Sequence, residues 1–301
     1  MNLSPTYGNF VLRGTVVGLA DKRAYTEGQT ESGKWKRVQF GIKVSESSIV
    51  YVELFGSKTS NVKLFKRGTN ADESLTVEWD DLYNSKYSNY RYANQVKVNL
   101  GCGNINDDFS LIAWDAIEYF EQHLKDGSNV LVKGSLQLNE YKGNSQEQYV
   151  IREIYVLENY NFKNKHPEAF FSHEIVYVDA IPLNENGEYT VDTRVINRNS
   201  NDCDVVPFNF YIYNKEVYDY FKNNISKGST LRVHGNILNY VPLKIIDGHT
   251  IISGSAVKGL EITGGNVRSI ASNRYDIDKL DSINAIGSPF EEETNTNEWG
   301  F

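Results

Sequence analysis

Apolar and polar residues alternate from Asn9 to Val17, with Phe10, Leu12 and Val16 on one side and Val11, Arg13 and Thr15 on the other. That period of two predicts a half-buried strand. The same period runs through KWKRVQFGIKV, Lys34 to Val44. Val38, Phe40, Ile42 and Val44 form its apolar face, Trp35, Arg37, Gln39 and Lys43 its polar and aromatic face, and Lys36 breaks the start. Between Leu111 and Leu138 the period changes: Ile117, Phe120 and Leu124 recur at helical spacing, Gly127 stops the helix, and an alternating strand follows.

This unit occurs twice. Aligning Gly127 with Gly228 matches Glu118-Tyr119-Phe120 with Asp219-Tyr220-Phe221, Leu124 with Ile225, Gly127-Ser128 with Gly228-Ser229, and Val132-Lys133-Gly134 with Val233-His234-Gly235. Two copies of one β-rich unit are therefore expected.

In the first copy, residues 45–106 exceed what a small barrel needs. The pieces SIVYVELFG (Ser48 to Gly56), NVKLF, LTVEW (Leu75 to Trp79) and YNSKYSNYRY (Tyr83 to Tyr92) predict an elaborated hairpin or small sheet inserted between the second and third strands. A competing register makes Val50 to Phe55 the third strand and puts the insertion after it; both placements stay open. On the first register, the third strand follows Asp107-Asp108 and leads into the helix, and the fifth runs from Tyr149 to Leu157. The second copy has strands near Glu174–Ile181, Glu188–Ile196 and Val205–Tyr213, a helix Lys215–Ile225, then Thr230–Leu238 and Thr250–Ile262.

Five strands with a helix between the third and fourth is the order of an OB-fold, a small Greek-key barrel. The expected organisation is mainly β, with two OB-fold domains in tandem. The first covers residues 1–165 with the insertion at about 45–106, the second covers 166–265, and 266–301 forms a disordered acidic tail.

Charge changes this picture only through its distribution. The chain of 301 residues carries a net −8, yet residues 1–67 hold eleven basic against five acidic side chains. A basic front coexists with an acidic end, where Lys279 alone stands against seven acids in residues 276–301. Cys102 and Cys203 lie in different copies without a CxxC neighbour, which supports neither a disulfide framework nor a cysteine zinc site. No apolar run reaches the roughly 18 residues of a membrane span, and MNLSPTYGNF lacks the apolar centre of a signal peptide. A cytoplasmic protein is expected.

Single-stranded nucleic acid is held by aromatic platforms for bases and cations for phosphates. Trp35, flanked by Lys34, Lys36 and Arg37, has both parts within one strand end, and Lys43 extends the same strand. The run Tyr83, Lys86, Tyr87, Tyr90, Arg91 and Tyr92 offers similar parts, although tyrosines at mixed spacing equally pack an inserted sheet. Arg13 and Lys133 are expected on the outward faces of the first and fourth strands, near enough to the second to help. Enzymatic signatures are missing: there is no GxxxxGK[ST], HExxH or GxSxG, and His123, His166, His173, His234 and His249 show no ligand spacing. Asp80-Asp81 and Asp107-Asp108 read as solvated turns rather than a nuclease metal site. A non-enzymatic protein without metal or cofactor is expected.

The helix-to-strand stretch, the strand KWKRVQFGIKV and the acidic tail ending in an aromatic residue together resemble the bacterial and bacteriophage single-stranded DNA-binding proteins. In that family a Gly-Ser or Gly-Asp turn leads into a strand of the form V-x-V-x-G. Lys125-Asp126-Gly127-Ser128 with Val130-Leu131-Val132-Lys133-Gly134 fits, as does Lys227-Gly228-Ser229 with Leu231-Arg232-Val233-His234-Gly235. The usual bacterial member carries one such unit per chain and ends in Pro-Phe, whereas this chain has two units, a large insertion and the end Trp299-Gly300-Phe301. A phage-encoded relative, at work in the cytoplasm of its bacterial host, accommodates these departures better than a housekeeping one.

The resemblance implies sequence-nonspecific coating of single-stranded DNA in replication, recombination or repair. It further implies that Glu291, Glu292, Glu293, Glu298, Trp299 and Phe301 recruit partner proteins, with homo-oligomers possible. A β-rich module of a virion that binds protein or carbohydrate is the alternative of another class, and a metal-dependent nuclease is the third.

Overall fold

The computed structural model describes residues 3–31, 33–66, 74–92, 94–101, 109–141, 143–157, 168–183, 187–198, 203–246 and 249–286. The strands in chain order are β1 (Gly8–Val17), β2 (Tyr25–Thr30), β3 (Gly33–Ser45), β4 (Ser48–Lys58), β5 (Asn61–Lys66), β6 (Ser74–Glu78), β7 (Tyr90–Tyr92), β8 (Gln95–Asn99) and β9 (Phe109–Ile112). Helix α1 (Ala113–His123) leads into β10 (Asn129–Tyr141) and β11 (Asn144–Val156). The second half runs β12 (Glu168–Ile181), β13 (Tyr189–Arg198), β14 (Cys203–Ile212), α2 (Lys215–Asn224), β15 (Thr230–Tyr240), β16 (Leu243–Ile246), β17 (His249–Ile252), β18 (Val257–Ala271) and α3 (Ile277–Ile286). The molecule is mainly β. Among the described residues no helix is long and apolar enough to cross a membrane.

Alternation decides which faces meet. Phe10, Leu12 and Val16 of β1, Val38, Phe40 and Ile42 of β3, and Val50, Val52 and Leu54 of β4 all turn inward and are buried. The strands carrying them close a ring in the order β1, β3, β4, β11, β10, with β4 and β11 parallel and the other neighbours antiparallel. Helix α1 lays Ala116, Ile117 and Phe120 on this core. A second ring has the matching order β12, β13, β14, β18, β15, again with one parallel pair, β14 with β18.

Two glycine pairs mark the correspondence. Gly127 and Gly228 both have positive φ after their helix. Each N–H donates to the first strand of its own ring, Gly127 to the Val16 carbonyl at 2.9 Å and Gly228 to that of Tyr177 at 2.8 Å. Gly134 and Gly235 sit at bulges of β10 and β15, where a Cβ would lie 1.9 Å from the Val150 carbonyl oxygen and 1.7 Å from that of Glu261. No other residue fits so close an approach of neighbouring backbone.

The rings share a seam. β1 and β12 pair antiparallel from Gly8 opposite His173 to Arg13 opposite Glu168, and one continuous apolar core runs through both. Tyr240 at the end of β15 meets Ser48 of β4, and Asn239 donates to the Ile49 carbonyl at 2.6 Å.

Of the two registers left open, the structure has the second: β3 turns directly into β4 through paired Ser45 and Ser48, and β5 to β9 come between β4 and α1. Two expectations need correction. The short strand before α1 pairs with β8 and not with the ring. The expected closing strand Thr250–Ile262 is two elements, β17 in a separate hairpin with β16, and β18 in the ring.

The tail also begins later than expected. β18 continues to Ala271, and Tyr275, Ile277 and Leu280 are buried against Val176, Ile196 and Val205. Burial of those three side chains is what holds α3 in place.

Candidate nucleic-acid interface

The outward face of β3 and β4 is built by the residues their alternation leaves over. Cross-strand pairing sets Trp35 opposite Ser57, Arg37 opposite Phe55, Gln39 opposite Glu53 and Gly41 opposite Tyr51. Trp35 and Phe55 stack with ring centroids 6.0 Å apart and planes at 24°. On its other side the indole lies over Gly28 of β2, where a Cβ would come within 2.6 Å of the ring, so the absent side chain makes the seat for Trp35. Phe55 and Tyr51 remain 55% and 57% exposed, a cost in apolar hydration that packing alone does not explain. Four residues along one strand span about 13 Å, so the three rings form a row leading toward the second ring of strands.

Cations near Trp35 divide between the two sides of the sheet. Lys34 and Lys58 are directly opposite each other on β3 and β4, on the side away from the Trp35 and Phe55 rings, and Lys58 Nζ lies 5.3 Å from the centroid of Trp79. Arg37 is on the Trp35 face but committed: its Nε donates to Glu53 at 2.8 Å and Nη2 donates to the same oxygen. Glu53, almost buried, also accepts from Gln148 of β11.

Other expected site residues go elsewhere. Lys36 points to the opposite side, where Nζ pairs with Glu118 of α1 at 2.8 Å and lies 4.9 Å from the Trp114 ring centroid. Lys43 is on the outward face but eight residues from Trp35, paired with Glu46 at 3.3 Å. Arg13 pairs with Glu168 across the seam at 2.6 Å. Lys133 faces Glu153 at 3.7 Å on β10, which is separated from β3 by β1. Neither Arg13 nor Lys133 joins the aromatic row.

The tyrosine run packs the insertion. Sheet β6-β5-β7 buries Val62, Leu64, Val77 and Leu82, with Tyr87, Tyr90 and Tyr92 against them. Lys86 pairs with Asp81, to which the Tyr87 hydroxyl donates at 3.1 Å. Tyr83 donates to Asp115 of α1, and burial followed by that carboxylate raises its pKa. Arg91 is exposed on β7 opposite Phe65. Tyr87, Tyr90 and Tyr92 of the run therefore pack a small ordered sheet, and Tyr83 and Arg91 are exposed.

Phe55 and Tyr51 escaped the sequence reading although the signal was present: Val50, Val52 and Leu54 inward put Tyr51, Glu53 and Phe55 outward. Glu291, Glu292, Glu293, Glu298, Trp299 and Phe301 lie outside the described residues. Among those described, no cluster of three or more His, Cys, Asp or Glu side chains has the geometry to hold a metal ion.

Two solved structures of the single-stranded DNA binding protein from Thermus aquaticus are similar to this chain. The wild type has 11% identity and a TM-score of 0.43 over 87% of this chain and 93% of that one. A deletion mutant has 12% identity and a TM-score of 0.42 over 88% and 95%. No curated protein matches the chain. The family model described as YorF matches residues 12–297, and the chain belongs to that family.

Proposed function

We propose that the chain binds single-stranded DNA without strong sequence preference, through the outward face of β3 and β4. The observation that carries this is the row of Trp35, Phe55 and Tyr51, with Arg37 and Lys43 on the same face. Aromatic rings accept bases by stacking at about 1–3 kcal/mol per base, and cations accept phosphate. On this proposal each five-strand ring is an OB barrel, and the closed order with one parallel pair in each supports it. The protein acts by coating rather than by turning a substrate over.

The resemblance drawn from the sequence extends the proposal to phage replication, recombination or repair, with the acidic aromatic end, Glu291 to Phe301, recruiting partner proteins. While no DNA is bound, that end also competes weakly for the cationic face, at an effective concentration up to about millimolar for a short tether.

Titration of tryptophan fluorescence with oligo-dT, duplex DNA and RNA tests the reading. Oligo-dT binds with steep salt dependence, because each neutralised phosphate releases counterions, and duplex competes poorly. Equal affinity for duplex and single strand overturns it.

A further inference from the structure

The aromatic row ends at a cleft that neither ring makes alone. Tyr51 stands at its mouth, Gln39 and Glu53 of the β3–β4 face form one wall, Asn139 and Glu147 come from the β10–β11 hairpin, and Asn239 and Lys258 come from β15 and β18. Its volume of about 400 Å³ lies within the range of small-molecule sites.

Arg37, Gln146 and Gln148 also line it, so the walls carry donors and acceptors together. Glu53 is occupied by Arg37 and Gln148. Asn239 donates one amide N–H to the Ile49 carbonyl at 2.6 Å and keeps its second N–H and its side-chain oxygen. Glu147 accepts from the Tyr149 hydroxyl at 2.8 Å through one carboxylate oxygen, and the other is an acceptor. Tyr149 is buried behind it. Lys258 adds a cation at the rim, shared with the adjoining cleft over β13 and β14. Among these groups Glu147 is the carboxylate with an oxygen left to accept from a ligand.

We propose that this cleft receives one nucleobase of the bound strand, stacked on Tyr51, and favours cytosine over thymine there. The inference rests on the single-strand reading above. The exocyclic amine of cytosine donates where thymine presents an oxygen acceptor, and a glutamate accepting from cytosine N4 is an established pairing. Thymine in the same place sets its carbonyl oxygen against the Glu147 carboxylate. The preference is confined to one position per bound chain, because the rings of Trp35 and Phe55 stack on any base.

The test is fluorescence titration of the full chain with oligo-dC and oligo-dT of equal length, on wild type and on Glu147→Gln. Wild type binds oligo-dC about fivefold or more tightly than oligo-dT, the lower end of what one well-placed base contact discriminates. Glu147→Gln, whose amide also donates, brings the ratio close to unity by weakening dC and not dT. Equal wild-type affinities, or an unchanged ratio in a folded Glu147→Gln, overturn the cleft assignment and leave single-strand binding standing. Failure of both oligonucleotides to bind wild type overturns both.

Discussion

The two rings share strand order, helix position, turn glycine and bulge, yet their outward faces have opposite fates. In the first, Trp35, Phe55 and Tyr51 line the face of β3 and β4, and Phe55 and Tyr51 stand open to solvent. In the second, the corresponding strands β13 and β14 carry Ile196 and Val205, and α3 covers them with Ile277 and Leu280. Arg194 on the same face is gripped by Asp192 at 2.7 Å and by both carboxylate oxygens of Asp281 at 2.6 and 3.0 Å. The lesson is that the scaffold leaves function undecided. A few outward positions on two strands, and whether an extra helix lies over them, separate an open aromatic face from a packed one.

The largest expected effect comes from loosening that helix. Leu280 is fully buried, and Leu280→Ala lowers unfolding stability by about 2–5 kcal/mol in a denaturant titration, as cavity-creating core substitutions do. Single-strand affinity of the folded variant stays at the wild-type level, because the face beneath carries no aromatic row. A gain in affinity would show that α3 masks a second binding face and would break the comparison.

Next in size is an acid effect at the seam. Burial lowers the pKa of His173 to about 4 from its ordinary 6.5, and its Nδ1 is 2.6 Å from the Glu174 carbonyl oxygen. The unfolded chain takes up this proton at higher pH than the folded one, so the stability is present above pH 6.5 and is lost as pH falls from 6.5 to 4. The full loss is about 3 kcal/mol from this side chain. Melts across that window move as one transition, because one core runs through both rings. Two separated transitions would mean that the rings stand independently.

A smaller change separates the faces directly. Phe55→Ala weakens oligo-dT binding by about 1–3 kcal/mol while the melting temperature barely moves, since the ring is half exposed. Trp35→Ala weakens binding similarly and also loses the Gly28 and Phe55 contacts, so it melts earlier than Phe55→Ala. The counterpart of Phe55 in the second ring is Tyr213, two residues past the parallel bridge of Tyr211 with Glu261 as Phe55 is past that of Glu53 with Val150, and Tyr213→Ala leaves affinity unchanged. The least effect belongs to Asp281→Asn: with the carboxylate partly exposed, breaking its pair with Arg194 costs about 0.5 kcal/mol of stability.

Much of this was legible where one face of a strand is buried. Val38, Phe40 and Ile42 marked the inner side of β3, and the glycine alignment located both rings, because close backbone approach at Gly134 and Gly235 excludes every other residue. The order of the insertion was not legible, since β4, β5 and β6 are all short apolar runs and only pairing of Ser45 with Ser48 tells which one continues the ring. Lys36 falls on the inner side of a strand and looks like an error in the pattern until α1 brings Glu118 to it. Helix α3 read as tail because its buried side chains, Tyr275, Ile277 and Leu280, are dispersed among Asp276, Asp278 and Asp281, too few to show a period without the surface they meet.

The antiparallel pairing of β1 with β12 is the kind of contact two identical subunits make across a twofold axis, each first strand facing its equivalent. Here both belong to one polypeptide, so the assembly forms at any dilution and carries no entropy of subunit encounter. Tethering also removes the symmetry that identical subunits impose: a substitution enters one half without entering the other. That freedom is what allows one half to keep an aromatic face while the other grows a helical cover.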